Sequence, residues 1–216
     1  MTVAPMTVAP TALEEAKVHP GPSQALALAP QLTDAARTEA AIVELLESLG
    51  LDLDTEDLDG TPRRVAAMYR ELLTPEPFNF TTFANTDGYD ELVLVRGIPF
   101  VSLCAHHLLP FKGEAHVAYL PGERIVGLSK LARTVRHFSK ALQVQERLTK
   151  QVADLIQVEL KPKGVGVVME AEHQCMTVRG VQATGAKTVT STMYGLLRDN
   201  PSSRAEFLSL AGISTK

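Results

Sequence analysis

Both cysteines of the 216-residue chain lie beside histidines, in two segments that are far apart in sequence. The first segment, SLCAHHLLPF, contains Cys104, His106 and His107, and the second, EAEHQCMTVRG, contains His173 and Cys175. Thiolate and imidazole together favour zinc, and Cys104 and His107 have a spacing that suits two ligands of one tetrahedral ion. Cys175 supplies a third ligand if its strand lies beside theirs. The sequence therefore predicts a zinc site.

Three ligands would leave the fourth tetrahedral position open, which is typical of catalytic zinc sites that keep a water. Because zinc lowers the pKa of such a water toward neutrality, hydrolysis is the expected reaction class. His106 and His173 then become candidates for proton transfer. Two alternatives stay open at this point. The site is structural if His106 or His173 closes it, and two cysteines can also form a disulfide or remain buried and inert.

Composition excludes some classes of partner. The formal net charge is -4 with both signs interspersed, so the concentrated basic face of a nucleic-acid-binding protein is not expected. No apolar run is long enough to cross a bilayer, and the start of the chain lacks the pattern of a secretory signal. We expect a cytoplasmic protein without a membrane partner, in which reductants keep the thiols free.

The pattern along the chain divides it into three parts. Residues 1–32, which open with the duplication MTVAPMTVAP, are rich in alanine and proline and are predicted to be a disordered tail. Residues 33–88 are predicted to be an N-terminal helical region. Residues 89–216 are predicted to form the catalytic domain.

Two helices are predicted in the N-terminal region. In the first, Thr33 is the expected N-cap, Gly50 offers a C-terminal stop, and leucines and an isoleucine recur at helical spacing between them. In the second, Thr61 is the expected cap and Pro62 suits the first helical position. Its apolar stripe is expected to face a core.

The catalytic domain is predicted to be α+β. The segments ELVLVRGIPFVSLC and GEAHVAYLPGERIVGL have the composition of neighbouring antiparallel strands. Two helical segments follow, the first opening at Ser129, and strand character returns in GVGVVMEAEHQCMTVRG and KTVTSTMYG. Two helices are expected to pack on one side of the sheet. A small sheet with open edges also favours closure by subunit association.

Five motifs in the same order resemble the GTP cyclohydrolase I family: SLCAHHLLPF, GLSKLARTVRHF, LQVQERLTKQ, EAEHQCMTVRG and GAKTVTSTM. The resemblance runs from about Thr33 to about Leu210 and includes TPRRVAAMY in the helical region. It implies the tunnelling fold, an antiparallel sheet with two helices on one face whose copies assemble into barrels, with an N-terminal helical extension. It also implies a homodecamer of two stacked pentamers with active sites between subunits.

The resemblance implies the conversion of GTP and water to 7,8-dihydroneopterin triphosphate and formate, the first step of folate or tetrahydrobiopterin-type pterin synthesis. By this analogy zinc, held by Cys104, His107 and Cys175, activates the water that attacks C8 of the purine. His106 and His173 match the family's proton-transfer residues. Ring closure to the pterin would follow in the same pocket.

The resemblance also implies the groups that bind the substrate. Guanine presents N1–H and N2–H₂ donors along one edge, which one carboxylate can accept together, and Glu146 matches the family residue in that role. Without the motif, a glutamate at a helix start would be read as a surface charge favourable to the helix dipole. Gln145, the preceding residue, is also predicted to bind the substrate. The residues that match triphosphate-binding positions are Ser129, Lys130, Arg133 and Arg179, and Arg64 in the TPRR turn is a further candidate, for its own or a neighbouring subunit.

The chain departs from the family's pattern at Ala105, where a glutamate is usual. No ligand is lost, but removal of a carboxylate there raises the local positive charge. Two alternatives to the full reaction therefore remain. One is a divergent paralogue with partial or altered purine-nucleotide ring opening, and the other is a silent nucleotide-binding regulatory subunit.

Overall fold

The computed structural model describes residues 34–213. The predicted disordered tail, residues 1–32, and the predicted cap Thr33 lie outside the described residues. Within 34–213, none of the helices has the length and apolar character needed to cross a membrane.

The main elements follow the predicted order of helices, strands, helices and strands, and two helices that were not predicted follow the last strand. The helices of the described part are α1 (Ala35–Ser48), α2 (Thr61–Leu73), α3 (Leu128–Ser139), α4 (Gln145–Leu160), α5 (Gln174–Thr177), α6 (Leu196–Asp199) and α7 (Pro201–Leu210). The strands are β1 (Thr82–Ala84), β2 (Val93–Cys104), β3 (Pro110–Leu120), β4 (Arg124–Val126), β5 (Leu142–Gln143), β6 (Gly164–His173) and β7 (Thr188–Gly195).

The main sheet has the strand order β5-β2-β3-β6-β7. Its long strands pair antiparallel, and only the two-residue strand β5 runs parallel to its neighbour β2. β1 and β4 form a separate two-stranded sheet. The predicted α+β class and the predicted antiparallel neighbours are confirmed.

Helices α3 and α4 pack on one face of the main sheet and form the larger core with it. The apolar residues predicted to face this core are all buried: Leu131, Val135 and Phe138 on α3, and Leu148, Val152, Leu155 and Ile156 on α4. A second, smaller core forms where Leu197 of α6 and Phe207 of α7 pack against Ala118 and Val168. Burial of these side chains supplies most of the driving force that holds the helices on the sheet.

The two N-terminal helices begin and end in ways that partly correct the predictions. Asp34 caps α1, because its carboxylate accepts a hydrogen bond from the backbone N–H of Arg37 at 2.8 Å. Thr61 is the first residue of α2 and not its cap; Gly60 takes that position with a φ of 68°, which glycine adopts without strain. The predicted C-terminal stop at Gly50 is confirmed, with a φ of 79° just after α1.

The apolar stripe of α1 is only partly covered by the described residues. It packs on α2 and leaves Ile42 and Leu46 half-buried, whereas Leu45 and Leu49 are 52% and 66% exposed. On α2 only Pro62 and Ala66 are buried, so its predicted core face packs incompletely.

The central strand β3 brings the two cysteine segments to the same end of the sheet. Phe111 pairs with Ser102 of β2 on one side and with His173 of β6 on the other. The strand that precedes Cys175 was expected to lie beside that of Cys104, but β3 lies between them. Cys175 is on the one-turn helix α5, which follows β6 and turns back toward the end of β2.

We expect Gly113→Ala to weaken the β3–β6 pairing that aligns the site. A β-carbon at Gly113 would lie 1.9 Å from the carbonyl oxygen of Glu170, so the two strands would have to move apart. The predicted loss in the free energy of unfolding is about 2 kcal/mol or more, measured by urea denaturation. Gly122→Ala is the matched control, because its β-carbon would have no neighbour closer than 3.4 Å. Equal unfolding midpoints for the two variants would contradict this account.

Candidate metal centre and active site

Three of the predicted ligands converge at the site end of the sheet. Cys104 is the last residue of β2, His107 lies in the following turn, and Cys175 is on α5. Their possible ligand atoms all lie within 4.8 Å of one another. The Sγ atom of Cys104 is 4.0 Å from Sγ of Cys175 and 3.8 Å from Nδ1 of His107.

These distances fit one tetrahedral zinc ion. With ordinary Zn–S and Zn–N bond lengths, tetrahedral geometry separates two sulfur ligands by ~3.8 Å and a sulfur from a nitrogen ligand by ~3.6 Å. Both observed separations, 4.0 Å and 3.8 Å, are close to these values. A disulfide is excluded, because its S–S bond would be ~2.05 Å long and both cysteines are free.

A tight turn folds His107 back toward Cys104. The carbonyl oxygen of Cys104 accepts hydrogen bonds from the backbone N–H groups of His107 and Leu108, at 3.3 and 2.9 Å. Leu108 has a φ of 56°, a left-handed conformation that costs a non-glycine residue roughly 1–2 kcal/mol. The turn closes when Cys104 N–H donates to the carbonyl of Leu109, and Pro110 then opens β3. The short turn thus sets the spacing of the first two ligands.

The two other histidines are not part of the cluster: His106 lies beside Cys104, and His173 ends β6 two residues before Cys175. Nδ1 of His106 is 3.7 Å from Cys104 Sγ, and Nε2 of His173 is 2.8 Å from Oε1 of Gln145. Among residues 34–213, the group of possible ligand atoms that are mutually close contains only Cys104, His107 and Cys175. The donor set thus has the three-ligand form, with two imidazoles next to it.

His173 is held by ring stacking as well as by hydrogen bonding. Its imidazole lies parallel to the Phe111 ring, with the ring centroids 4.5 Å apart and the planes 3° from parallel. Burial lowers the pKa of His173, and the nearby carboxylate of Glu146 opposes that shift. A neutral imidazole is thereby favoured at neutral pH.

The two residues that open α4 have different surroundings. Glu146 is exposed in the first turn and lies near enough to His173 to raise its pKa. Gln145 was predicted with the substrate-binding residues, yet its side chain is buried and its hydrogen bonds go to groups within the chain. Glu146 therefore has a carboxylate open to a ligand, whereas Gln145 faces His173.

The thiol of Cys175 is sensitive to the charges around it. Burial is the main cause that raises its pKa, and the neighbouring Cys104 raises it further. The guanidinium of Arg179, a predicted phosphate-binding residue four positions further along the chain, lowers the pKa of Cys175. A divalent cation between the two sulfurs would instead lower the pKa of both thiols and favour the thiolates.

The predicted phosphate-binding residues of α3 lie away from the cluster. Ser129 and Lys130 are in the first turn of α3 and Arg133 follows one turn later. The other end of the helix, at Ser139, leads into β5, which pairs with the end of β2 at Cys104. The helical segment from Ser129 to Ser139 is ~15 Å long at 1.5 Å per residue. Ser129 and Lys130 are therefore at the end of α3 that is remote from the proposed metal ligands of the same chain, and Arg133 is in the middle of the helix.

Arg64 is also not brought to the cluster. Its guanidinium donates to the carbonyl of Asp59 at 2.9 Å and to the hydroxyl of Thr61 at 2.7 Å, across the N-terminus of its own helix. It lines a cavity of about 480 Å³ that is bounded by α1, α2 and the loop between them. No other predicted site residue lines that cavity.

Ala105 is exposed, and its backbone N–H donates to the carbonyl of Gln143 at 2.9 Å. The nearby Arg147 donates to the carbonyl of Leu142 and to the side-chain oxygen of Gln143, at 2.6 and 2.8 Å. Both of these described hydrogen bonds of Arg147 therefore go to uncharged oxygen atoms and not to a carboxylate. The three predicted ligands converge with alanine at position 105.

Two contacts in the site had no signal in the sequence. Stacking of Phe111 on His173 follows from the β3–β6 register, which no local pattern specifies. The hydrogen bond from His173 to Gln145 depends on how α4 sits on the sheet. Both contacts join segments far apart in sequence.

Comparison with known proteins assigns the chain to a family. Residues 38–212 match the family model described as GTP cyclohydrolase I. The protein named GTP cyclohydrolase 1 from Aquifex aeolicus is 50% identical over 177 residues, which cover 82% of this chain and 96% of that protein. The protein of the same name from Clostridioides difficile is 51% identical over 182 residues, with the same shares covered.

Among solved structures, an archaeosine synthase QueF-Like in the apo form is similar with a TM-score of 0.41 and 15% sequence identity, covering 48% of this chain and 93% of that one. That likeness is too low to identify a shared fold. The family match and the identity to the two relatives, each over most of the chain, are decisive. The chain belongs to the GTP cyclohydrolase I family.

Proposed function

We propose that this chain converts GTP and water to 7,8-dihydroneopterin triphosphate and formate, at a zinc site formed by Cys104, His107 and Cys175. The observation that carries the proposal is the convergence of these three ligand atoms within 4.8 Å beside the imidazoles of His106 and His173. Membership of the GTP cyclohydrolase I family supports the substrate and the reaction. We expect the enzyme to work in the cytoplasm, where reductants keep both thiols free to bind metal.

The residues around the cluster have complementary roles in this reaction. Zinc, when bound, would act as a Lewis acid that makes water nucleophilic near neutral pH. Glu146 accepts the N1–H and N2–H₂ donors of guanine and so orients C8 of the purine toward the cluster. His106 and His173 exchange the protons that opening of the imidazole ring and release of formate require. Arg179 neutralises part of the triphosphate charge.

We further propose that the active site is shared between copies of the chain. Ser129 and Lys130 lie at the end of α3 remote from their own cluster, with Arg133 in the middle of the helix, so their cations and hydroxyl would serve the triphosphate bound at another copy's cluster. Within the described sheet, β7 pairs only with β6, and β2 is covered by β5 over just two residues. Head-to-tail pairing of such edges closes rings. Residues 89–216 would form a tunnelling-fold barrel assembled into a decamer, which would pair the open sheet edges and bring the α3 residues of one copy to the cluster of another. Arg64 would then bind the triphosphate in its own or a neighbouring subunit.

Turnover with product identification tests the proposed reaction. Purified protein supplied with zinc and GTP is expected to release formate and to yield a pterin that fluoresces after oxidation. Accumulation of a formamidopyrimidine without pterin would contradict the full reaction and indicate a divergent enzyme. Nucleotide binding without any product would instead indicate a silent subunit.

Metal analysis of variants tests the three-ligand site. Cys104→Ala and Cys175→Ala are expected to lose bound zinc and to lower turnover by at least about 100-fold, since removal of a ligand leaves too few donors. His106→Ala is the matched control, because the imidazole of His106 lies beside the cluster but is proposed to transfer protons and not to bind zinc. This variant is expected to keep one zinc per chain and to lose turnover. Loss of zinc from His106→Ala would show that His106 closes the site.

Mixing of inactive variants tests the shared site. Cys175→Ala lacks a complete cluster, whereas Lys130→Ala combined with Arg133→Ala lacks the α3 cations. If each site takes its cluster from one copy and its α3 cations from another, random 1:1 co-assembly restores about a quarter of wild-type activity. No recovery after confirmed co-assembly would contradict the shared site.

A further inference from the structure

We infer that Gln145 is a positioning residue that fixes the neutral tautomer of His173, so that this histidine exchanges protons through Nδ1 and not through Nε2. The inference rests on the proposed role of His173 in proton transfer. It adds a residue that would act without touching the substrate.

The orientation of the Gln145 amide is determined by its neighbours. The side chain is only 2% exposed, so its polar atoms depend on partners within the protein. Nε2 lies 3.1 Å from the carbonyl oxygen of Met169 and 2.9 Å from that of Thr188. Carbonyl oxygens can only accept, so the amide NH₂ must face them and Oε1 must point the other way. Oε1 is the atom 2.8 Å from Nε2 of His173.

Two threonines strengthen this orientation. Thr149 donates its hydroxyl hydrogen to the backbone carbonyl of Gln145 at 2.8 Å. Its oxygen therefore accepts from the hydroxyl of Thr190, 2.6 Å away. Thr190 has then used its hydrogen and offers only lone pairs to Nε2 of Gln145, at 3.1 Å. An amide turned by 180° would bring its oxygen against three acceptors.

The fixed amide determines which nitrogen of His173 carries hydrogen. Because Oε1 of Gln145 can only accept, Nε2 of His173 must donate, and a neutral ring then has its lone pair on Nδ1. Stacking on Phe111 fixes the plane of the ring, and a half-turn within that plane would replace Nε2 by the carbon Cε1 and lose the hydrogen bond to Oε1 of Gln145. The hydrogen-bond partner of one ring nitrogen thus sets the protonation of the other, and Nδ1 remains for the substrate.

Gln143 provides a matched control for Gln145. It is also a glutamine that is 2% exposed, and it lies two residues away. Its Nε2 donates to the carbonyl of Phe138 and to Oε1 of Gln151, both at 2.8 Å, but none of its described hydrogen bonds reaches a histidine. Replacement of either glutamine by methionine removes a buried amide of the same size. Any effect common to both variants reports packing, and a difference reports the contact with His173.

The experiment combines ¹⁵N NMR of histidine-labelled, zinc-loaded protein with steady-state kinetics on GTP. The His173 signals are assigned by their loss in His173→Asn. The wild-type ring is expected to be protonated at Nε2, whereas Gln145→Met is expected to show Nδ1-protonated or mixed tautomers. In Gln145→Met, kcat is expected to fall by about 10- to 100-fold with KM for GTP changed less than about threefold. Gln143→Met is expected to keep the Nε2-protonated His173 and a kcat within about threefold of wild type.

A wild-type His173 protonated at Nδ1 would overturn the inference without any variant. Equal loss of kcat in Gln145→Met and Gln143→Met, with unchanged tautomers, would also overturn it. If Gln145→Met does not fold, the wild-type spectrum decides, because it reads the nitrogen of His173 that carries hydrogen without any variant. The tautomer is read independently of turnover, so an active His173→Asn enzyme would refute the proposed role of His173 and leave the tautomer measurement intact.

Discussion

The register of β3 is the constraint on which the site depends. Phe111 lies opposite Ser102 on β2 and opposite His173 on β6, so the ends of two strands that carry the cysteine segments meet across one residue of the central strand. A one-residue slip of either pairing would turn the side chains to the other face of the sheet. The ligands from the two segments would then no longer converge. Burial of Phe111 and of the helices packed behind it makes such a slip costly.

The proposed ligands and the proton-transfer candidate His173 are positioned by different kinds of structure. Of the proposed metal ligands, Cys104 ends strand β2, whereas His107 and Cys175 lie on short segments, a turn with a left-handed Leu108 and the one-turn helix α5. The proton-transfer candidate His173 is instead held by a buried network that joins α4 to β6 and β7. Buried polar networks orient their members strongly only when every group has a partner, and the Gln145 network meets that condition. The ring of His173 is accordingly oriented by a hydrogen bond and by ring stacking together.

Much of this arrangement could be predicted from local sequence patterns. The strands, the buried faces of α3 and α4, and the three ligands follow from periodicity and from the types and spacing of a few residues. The capping residues of α1 and α2 were misassigned, because several residues near a helix start can satisfy the same backbone groups and only the backbone conformation decides between them. The position of Cys175 on a short helix and the contact between Gln145 and His173 depend on tertiary packing, which no local pattern encodes. The apolar stripe of α2 was expected to face a core, but within the described residues only Pro62 and Ala66 of that helix are buried.

X-ray absorption at the zinc edge tests the central claim, an open site with three protein ligands, most directly. The account predicts two sulfur ligands at ~2.3 Å and one imidazole nitrogen at ~2.0 Å, with a fourth light ligand that is not imidazole. A second imidazole in the coordination shell would contradict it, because His106 or His173 would then close the site and leave no position for water.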